Sequence, residues 1–505
     1  MSRPPPSVSG GSTLSFVPVY PSLEEFIQLA REYPVVPIVA RIVADRETPV
    51  TAFEKLVGDA PGFLLESVEG GENWAQWSFL GWDPEFTLKA RNGQCEVDAD
   101  GIELGEGDPL SVLESILARY RTPDLPGLPP LHSGVVGYLG YDVVRYVEHL
   151  PNRPRDDRRL PELLFQFVGA LAAMDRFTQQ LVMVRNVFVG DDPESQYHAA
   201  VAAIEADLER LGRPRPYLPT PVGLAAPSLD TRSTFERSRF EEAVLVAKEF
   251  IAAGDAFQIV LSQRLEAPFD GDPFAVYRAL RLINPSPFLF YVHDPEVSVI
   301  GSSPELMTRV REGIAYSRPI AGTRPRGATE EEDRRLEGEL LEDPKERAEH
   351  VMLVDLARND LGRVCEFGTV SVDDLMVIER YSHVMHIVSG VSGTVRPGVG
   401  PVDVIRATFP HGTVSGAPKV RAMEIIDELE PVMRGPYAGA VGYLDFSGNV
   451  DTAICLRTVV AADRKAWVQA GAGIVADSDP AAEYEETMSK AAAALAAIAR
   501  AEVMP

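Results

Sequence analysis

Two predicted helices each carry a pair of glutamates three residues apart. The segment Asp343–Gly362 opens with Asp-Pro, a typical helix start, and places Glu346 and Glu349 on one face. The segment PAAEYEETMSKAAAALAAIARA near the C-terminus does the same with Glu483 and Glu486. Such pairs are usually solvated acidic faces. Both helices also carry apolar residues, however, and if they pack together the four carboxylates need a hard cation, for which Mg²⁺ is suited.

Three glycine-rich segments offer backbone N–H groups to an anion. In PIAGTRPRG, Gly322 and Thr323 stand in a predicted turn between arginines, where a phosphate or a carboxylate would fit. In HGTVSGAPK, Thr413 lies in a loop before a predicted helix, whose N-terminal dipole favours negative charge. In VQAGAGIVADS, a predicted strand runs into the loop Gly471–Gly473. Each segment alone is also compatible with a solvated loop.

Common cofactor motifs are absent from these segments. No GxGxxG precedes a helix and no GxxxxGK[ST] occurs, so a dinucleotide site and a P-loop are both disfavoured. His383 and His386 are three residues apart in SHVMH, which is not the HExxH spacing of a zinc site. Arg457, on a predicted strand, would be costly to bury without an anionic partner. Together these features predict a pocket for a small molecule with more than one carboxylate, bound with a divalent metal.

Charge and composition exclude several other classes of protein. The 505 residues have a formal net charge of −27, which repels duplex nucleic acid and anionic membranes. The N-terminus has no apolar signal-like stretch, and no apolar run is long enough to cross a bilayer. Cys95, Cys365 and Cys455 are far apart and odd in number, which argues against a disulfide framework. We expect a cytoplasmic protein without nucleic-acid or membrane partners.

A predicted tail and a proline-rich segment divide the chain into four parts. Residues 1–12 are predicted to be a disordered tail, and residues 213–232 have the proline content of a linker. They separate an N-terminal region, 13–212, from a C-terminal region, 233–505. Alternating strands are interspersed with helices but without strict βαβ repetition. This pattern predicts an α/β (α+β) fold with large, mostly antiparallel sheets.

Six blocks in the C-terminal region carry a family resemblance. In order they are PIAGTRPRG, ERAEHVMLVDLARNDLGRV, ERYSHVMHIVSGVSG, FPHGTVSGAPKVRAMEIIDELE, GAVGYLD and QAGAGIVADSDP. They resemble the chorismate-utilising enzymes, most closely the anthranilate synthase component I group, and LLES at Leu64–Ser67 extends the likeness to the N-terminal region. The resemblance implies sheets that face one another with helices outside. It also implies conversion of chorismate and ammonia to anthranilate and pyruvate via 2-amino-2-deoxyisochorismate, the first step of tryptophan biosynthesis.

The resemblance assigns roles to individual residues. Glu349 and Glu486 match the family's Mg²⁺ ligands, with Glu346 and Glu483 as supporting carboxylates. Glu305, which without this context would be interpreted as an exposed charge at a strand edge, matches the general acid of the amination step. His386 matches a histidine implicated in pyruvate elimination, and Thr413 matches a residue that contacts the substrate. The positions that match chorismate contacts are Gly322, Thr323, Tyr437, Arg457, Gly471, Ala472 and Gly473.

A regulatory site and a partner are implied as well. Ser67, Pro287, Phe288 and Leu289 match the site where L-tryptophan binds and inhibits, so residues 13–212 would be a tryptophan-binding regulatory region and 233–505 the chorismate-binding catalytic region. A Tyr-Met pair is commoner in the family at Phe288-Leu289, which bears on the affinity of the site. No glutaminase signature surrounds any cysteine. The ammonia would therefore come from a glutamine amidotransferase subunit, anthranilate synthase component II.

Two positions separate this chain from close relatives. Aminodeoxychorismate synthases typically carry a nucleophilic lysine at the position of Ala321, and isochorismate or salicylate synthases carry a water-activating lysine at the position of Gln258. Neither alanine nor glutamine can take these roles, which favours anthranilate as the product. Two alternatives remain open: an aminodeoxychorismate synthase component I that uses another nucleophile, and a non-catalytic tryptophan-sensing relative. The second would predict loss of residues such as Glu349 or Arg457, and both are present.

Overall fold

A computed structural model describes residues 17–67, 76–216, 218–219, 221, 226–381 and 384–504. The described residues form two large sheets, one of 13 strands and one of 11, in which all ladder pairings are antiparallel. The predicted fold class is confirmed. The predicted tail, residues 1–12, lies outside the described residues.

Strands are numbered along the chain. They are β1 (Val19–Tyr20), β2 (Val35–Val43), β3 (Gly62–Glu66), β4 (Trp77–Trp82), β5 (Phe86–Arg91), β6 (Gln94–Val97), β7 (Val135–Leu139), β8 (Leu163–Phe167), β9 (Ala170–Asp175), β10 (Gln180–Phe188), β11 (Arg232–Ser233), β12 (Gln258–Pro268), β13 (Phe288–Asp294), β14 (Val297–Ser303), β15 (Leu306–Arg311), β16 (Ile314–Ser317), β17 (Ile320–Pro325), β18 (Ser371–Arg380), β19 (Val384–Thr394), β20 (Gly416–Ala417), β21 (Ala440–Leu444), β22 (Val450–Ile454), β23 (Thr458–Ala462) and β24 (Lys465–Ile474).

Helices are numbered in the same way. They are α1 (Leu23–Leu29), α2 (Pro49–Leu56), α3 (Pro109–Leu117), α4 (Pro193–Gly212), α5 (Arg237–Ala253), α6 (Pro273–Ile283), α7 (Glu330–Glu342), α8 (Pro344–Gly362), α9 (Pro401–Thr408), α10 (Lys419–Leu429) and α11 (Pro480–Ala501), with short 3₁₀ turns at Tyr141–Tyr146 and Gly412–Val414.

Both the N-terminal and the C-terminal region contribute to each sheet. The first sheet runs β1-β2-β10-β9-β4-β3 and continues as β13-β14-β23-β24-β12-β11, with β20 beside β12. The second runs β17-β19-β16-β15-β22-β21 and continues as β7-β8-β5-β6, with β18 beside β19. Each sheet therefore has one junction between strands of the two regions, β3 with β13 and β7 with β21. The division into a regulatory and a catalytic region stays a prediction.

The core has three layers of apolar side chains. One lies between the sheets and joins residues of the first sheet, such as Phe63 and Val182, to residues of the second, such as Tyr138 and Tyr443. The others lie between each sheet and its outer helices. Burial of both faces explains near-continuous apolar strands such as β8 and β9. Among the described residues, no helix is long and apolar enough to cross a membrane.

The strongest helix predictions are confirmed. Helix α11 has the predicted bounds, and the Asp343 side chain caps α8 by accepting from the N–H groups of Lys345 and Glu346. The secondary structure predicted for two glycine-rich segments was wrong. Residues 320–325 form strand β17 rather than a turn, with a bulge where Gly322 has φ +69°. Gly471–Gly473 lies inside β24, paired with Ser262–Val260 of β12, because the missing side chains let the two strands pack closely.

A close approach between strands makes Gly137 of β7 sensitive to substitution. A Cβ there would lie 1.9 Å from the backbone oxygen of Leu164, which cannot rotate away. We expect Gly137→Ala to destabilise the protein by about 1–3 kcal/mol or more through overpacking. Gly338→Ala, in α7 with nothing within 4 Å of its Cβ, should stabilise by about 0.5–1 kcal/mol. Thermal melting of both variants checks this, and an unchanged melting temperature for Gly137→Ala would contradict it.

Candidate active site

A cavity of about 540 Å³ lies where strands of both sheets meet the loop before α10. This volume is in the usual range for small-molecule sites. Ten residues were predicted for catalysis and substrate binding, and eight of them line this cavity. The other two, Gly322 and Ala472, are neighbours of lining residues in their strands. The eight are Glu305, Thr323, His386, Thr413, Tyr437, Arg457, Gly471 and Gly473.

Glu305 lies between β14 and β15 and is 4% exposed, not at an open edge. Its carboxylate oxygen accepts a hydrogen bond of 2.7 Å from the Thr413 hydroxyl. Burial raises the pKa of Glu305 to about 8, and the Thr413 hydrogen bond partly opposes this shift. The carboxyl group is therefore protonated at neutral pH and can donate a proton inside the cavity.

The neighbouring imidazole of His411 does not supply a counter-charge. Its Nδ1 lies 3.1 Å from the Thr413 hydroxyl oxygen and 3.6 Å from a Glu305 carboxylate oxygen. Burial, and to a smaller extent the positive charge of Lys419, lowers the pKa of His411 to about 3. His411 is thus neutral and contributes a hydrogen bond that fixes Thr413, which in turn fixes Glu305.

His386 lies on β19 opposite the bulge of β17. Its Nδ1 is 3.0 Å from the Gly322 carbonyl oxygen and 3.0 Å from the Thr323 hydroxyl oxygen. When Nδ1 carries the proton, it donates to that carbonyl and leaves Nε2 as an acceptor. Burial lowers the pKa of His386 despite the hydrogen bond to Gly322. His386 is therefore a neutral base in the wall of the cavity.

Arg457 is a half-buried cation without a carboxylate partner among the described residues. The prediction that Arg457 lies on a strand was wrong: it lies between β22 and β23 with φ +48°, outside the strand region. Its guanidinium donates to the side-chain oxygen of Asn284 at 3.1 Å. Burial lowers the pKa of Arg457. An anionic ligand in the cavity would supply the missing charge, which fits the carboxylate site predicted from the sequence.

The opposite wall is formed by β24. A Cβ on Gly471 would lie 2.7 Å from the Tyr437 hydroxyl, so glycine allows this ring to reach the cavity. The Ala472 side chain points to the other face and packs with Phe240 and Ile425. Lys490 of α11 donates to the Gly471 carbonyl at 3.1 Å and lines the cavity. Sequence reasoning missed Lys490 because it lies outside the glycine-rich blocks, one turn beyond Glu486.

The four predicted metal-binding glutamates lie beside this cavity on two helices. Burial and the carboxylates of Glu346 and Glu483 raise the pKa of Glu349, so α8 and α11 bring their acidic faces into electrostatic range. Cations pair with three of the four glutamates: Arg324 with Glu346 at 3.0 Å, Lys490 with Glu486 at 2.7 Å and Lys345 with Glu349 at 4.0 Å. No three His, Cys, Asp or Glu side chains in the described ranges converge closely enough to hold a metal ion. The donor chemistry nevertheless suits a hard divalent cation.

The residues predicted for a regulatory site line a second, smaller cavity of about 100 Å³. Ser67, Pro287, Phe288 and Leu289 share its wall with side chains that the sequence did not indicate. Pro287 lines both cavities. The additional lining residues include Glu66, Trp77, Arg309, Tyr443 and Asp451.

Known proteins resemble this chain in sequence and in fold. The family described as chorismate binding enzyme matches residues 61–496. The chain therefore belongs to the chorismate binding enzyme family.

Individual relatives narrow this assignment. The chain is 47% identical over 485 residues to anthranilate synthase component 1 of Acetivibrio thermocellus, which covers 95% of this chain and 98% of the relative. It is 46% identical over 490 residues to the protein of the same name from Pseudomonas aeruginosa, covering 95% and 99%. The crystal structure of anthranilate synthase component I from Streptococcus pneumoniae superposes with a TM-score of 0.75 at 36% identity, covering 90% of this chain and 99% of that one. Within its family, the chain is an enzyme of the anthranilate synthase component 1 group.

Proposed function

We propose that the chain converts chorismate and ammonia to anthranilate and pyruvate through 2-amino-2-deoxyisochorismate. The observation that carries this proposal is the convergence of a protonated carboxyl group, a neutral imidazole and an unpaired arginine on one cavity. Chorismate has two carboxylates, and the cavity offers a cationic group, Arg457, at one wall and backbone N–H groups of the glycine-rich β24 at another. Tyr437 completes the wall beside Gly471.

Glu305 supplies the proton of the first step. As ammonia forms a bond to C2 of the ring, the C4 hydroxyl departs, and the buried carboxyl group protonates that oxygen so that it leaves as water. A carboxyl group with a pKa of about 8 is mostly protonated at pH 7, whereas an exposed glutamate is ionised. The Thr413 hydroxyl holds the carboxyl group in place and stabilises the carboxylate that remains.

His386 accepts the proton of the second step. The ring becomes aromatic when a proton leaves C2 and the bond between C3 and the enolpyruvyl oxygen breaks. The enolate that departs then takes up a proton on its methylene carbon and becomes pyruvate. The acceptor must be neutral and must have a free lone pair, and burial keeps His386 in that state. The Gly322 carbonyl fixes its tautomer and therefore the position of Nε2.

We infer that Glu349 and Glu486 hold Mg²⁺, with Glu346 and Glu483 as supporting carboxylates. When bound, the ion would neutralise the ring carboxylate of chorismate and withdraw electrons from the ring. Arg324 and Lys490, which pair with Glu346 and Glu486, have to give way or share these carboxylates. Lys490 would remain tied to the cavity through the Gly471 carbonyl.

Ammonia is proposed to come from a glutamine amidotransferase subunit. The name component 1 of the relatives implies a second component. The three cysteines of this chain are unsuited to glutaminase chemistry, because Cys365 and Cys455 are buried and burial raises the thiol pKa of all three.

L-tryptophan is proposed to bind in the second cavity and to inhibit the enzyme. Its volume of about 100 Å³ is below the roughly 300 Å³ of common ligand sites, so an indole-sized ligand must separate the walls. Pro287 belongs to both cavities, so this movement would reach the substrate site.

Aminodeoxychorismate synthase is the second candidate. Its usual covalent nucleophile would stand at Ala321, which lines the cavity with a methyl group only. This observation favours direct attack by ammonia and hence anthranilate.

The deciding experiment is anthranilate fluorescence from the purified chain with chorismate and Mg²⁺. Ammonium salt at alkaline pH should give signal and glutamine alone should not, because the glutaminase is a separate subunit. No signal with either donor, followed by 4-aminobenzoate once a lyase is added, would move the assignment to aminodeoxychorismate synthase.

The pKa of Glu305 predicts an alkaline limit to the reaction. At a fixed concentration of free ammonia, kcat/KM for chorismate should be constant below about pH 8 and should fall above it, because the acid form is lost. Thr413→Val removes the hydrogen bond that lowers this pKa, so the limit should move to higher pH while the rate falls. Thr413→Ser, which keeps the hydroxyl, is the control. A Thr413→Val profile with the wild-type limit would show that another group sets it.

The metal assignment predicts that Glu486→Gln binds Mg²⁺ weakly. Losing one charged ligand should cost about 10–100-fold or more in affinity and abolish most metal-dependent turnover. Calorimetric titration with Mg²⁺ gives the affinity without turnover. The matched control is Glu485→Gln, whose carboxylate pairs instead with Arg237 at 2.7 Å. Equal Mg²⁺ affinity for both variants would remove Glu486 from the site.

The regulatory assignment predicts that Ser67→Arg weakens inhibition by tryptophan. A large cation in the wall of a small cavity should exclude the ligand, with little effect on turnover without tryptophan. Ser195→Arg, on the exposed surface of α4, is the control. Inhibition curves over a range of tryptophan concentrations measure the difference, and full retention of sensitivity in Ser67→Arg would place the inhibitor elsewhere.

A further inference from the structure

A buried ion pair lies directly behind the wall of the active-site cavity. The Arg434 guanidinium donates to both carboxylate oxygens of Glu430, at 2.9 and 2.6 Å. Arg434 is 2% exposed and Glu430 6% exposed. Neither residue lines the cavity. A fully buried, bidentate pair holds both partners in one geometry.

The remaining donors of Arg434 reach two segments of the cavity wall, the 3₁₀ turn at Gly412–Val414 and strand β12. Its guanidinium donates to the carbonyl of Val414 at 2.7 Å and to the carbonyl of Val260 at 2.7 Å. Val414 directly follows Thr413, the residue that holds Glu305. Val260 is itself a lining residue on β12. One side chain therefore fixes the distance between the Thr413 loop and the β12 wall.

Glu430 extends the network to the third wall. Its carboxylate accepts from the Ser262 N–H and hydroxyl, both at 2.8 Å. The Ser262 hydroxyl in turn accepts from the side-chain amide of Gln469, a lining residue on β24. Ser262 also lies opposite Gly471 in the β12–β24 ladder.

The same guanidinium packs against the rings of Tyr141 and Tyr437, at 4.6 and 5.6 Å from their centroids. Tyr437 follows three residues later in the chain. The turn between them is held by a hydrogen bond from Arg158 to the Arg434 carbonyl at 2.8 Å and by one from the Gly435 N–H to Asp142 at 2.9 Å. Arg434 therefore positions the Tyr437 ring in two ways, through the contact of its guanidinium with the ring and through the turn that connects the two residues.

From this geometry we propose that Arg434 and Glu430 are positioning residues for the reaction, which set the places of Thr413, Tyr437 and the β12–β24 wall without touching substrate. This inference rests on the proposed function. A buried ion pair is a poor source of stability, because apolar residues of equal volume often serve as well. A planar fork that bonds Glu430 and the carbonyls of two separate wall segments, by contrast, gives a geometry that lysine cannot reproduce.

The test compares Arg434→Lys with wild type in the anthranilate assay. Lysine keeps the charge but not the fork, so the Thr413 loop and the Tyr437 ring should shift. Misplacement of about 1 Å costs about 100-fold in rate, and we expect kcat to fall by about 10–100-fold. The protein should remain folded by circular dichroism and bind chorismate with full stoichiometry in calorimetry. Arg434→Met should lose more activity than Arg434→Lys.

A matched control is Arg185→Lys. Arg185 also pairs with a buried carboxylate, Asp207, and packs on Trp82 at 5.5 Å, but it does not line the cavity. Its kcat should equal that of wild type. If Arg434→Lys does not fold, Glu430→Gln decides, because glutamine keeps an acceptor for Ser262 and loses the charge-assisted fork.

Three outcomes are distinguishable. Lower kcat in folded Arg434→Lys, with wild-type kcat in Arg185→Lys, supports the proposal. Values of kcat and KM within twofold of wild type in a folded Arg434 or Glu430 variant overturn it. Absence of anthranilate formation by the wild-type chain overturns the proposed function itself, before the variants are compared.

Discussion

An anionic substrate has to enter a chain whose formal net charge is −27, and much of the site follows from this constraint. The long-range field of such a surface repels chorismate, so attraction must come from charges at contact distance. Arg457 answers this need because its half-buried guanidinium has an amide, not a carboxylate, as its partner. Burial also neutralises the acidic group that the cavity does contain, since Glu305 is protonated at neutral pH. Within the described part of the chain, the glutamate set on α8 and α11 forms an acidic surface, which a cation would convert from repulsive to attractive.

Local sequence signals predicted the elements well where a helix has clear ends. The Asp-Pro start of α8 and the bounds of α11 follow from capping chemistry within a few residues of chain. The secondary structure of the glycine-rich segments was not predicted correctly from local sequence. The bulged strand β17 and the glycine-containing strand β24 had the composition of turns, and only their pairing with β19 and β12 made them strands. Strand pairing depends on partners far away in sequence, so the sequence of a short glycine-rich segment does not determine whether that segment forms a strand.

Some residues of the site are recognisable from local sequence, and others become apparent only through tertiary packing. Motif resemblance was sufficient to predict Glu305, Thr413 and His386, but not their protonation states. Burial and a partner 108 residues distant set the pKa of Glu305, and neither is visible in the segment around it. Lys490 and Arg434 were missed for a related reason. A lysine on an alanine-rich helix and an arginine before a Gly-Pro turn are ordinary surface residues by sequence. Only the packing of α11 and of the 433–437 turn brings Lys490 into the cavity wall and Arg434 directly behind it.

The two junctions between the N-terminal and C-terminal strands bear on how this protein can be taken apart. Five pairs of residues join β3 to β13, and five join β7 to β21. Cutting the chain near residue 220 and expressing either piece alone would open both ladders and leave an apolar, unpaired edge in each half-sheet. Such edges recruit strands from other chains, so separate fragments would tend to aggregate. Mixed during refolding, the same edges are complementary, and they offer a route to a functional enzyme assembled from two polypeptides.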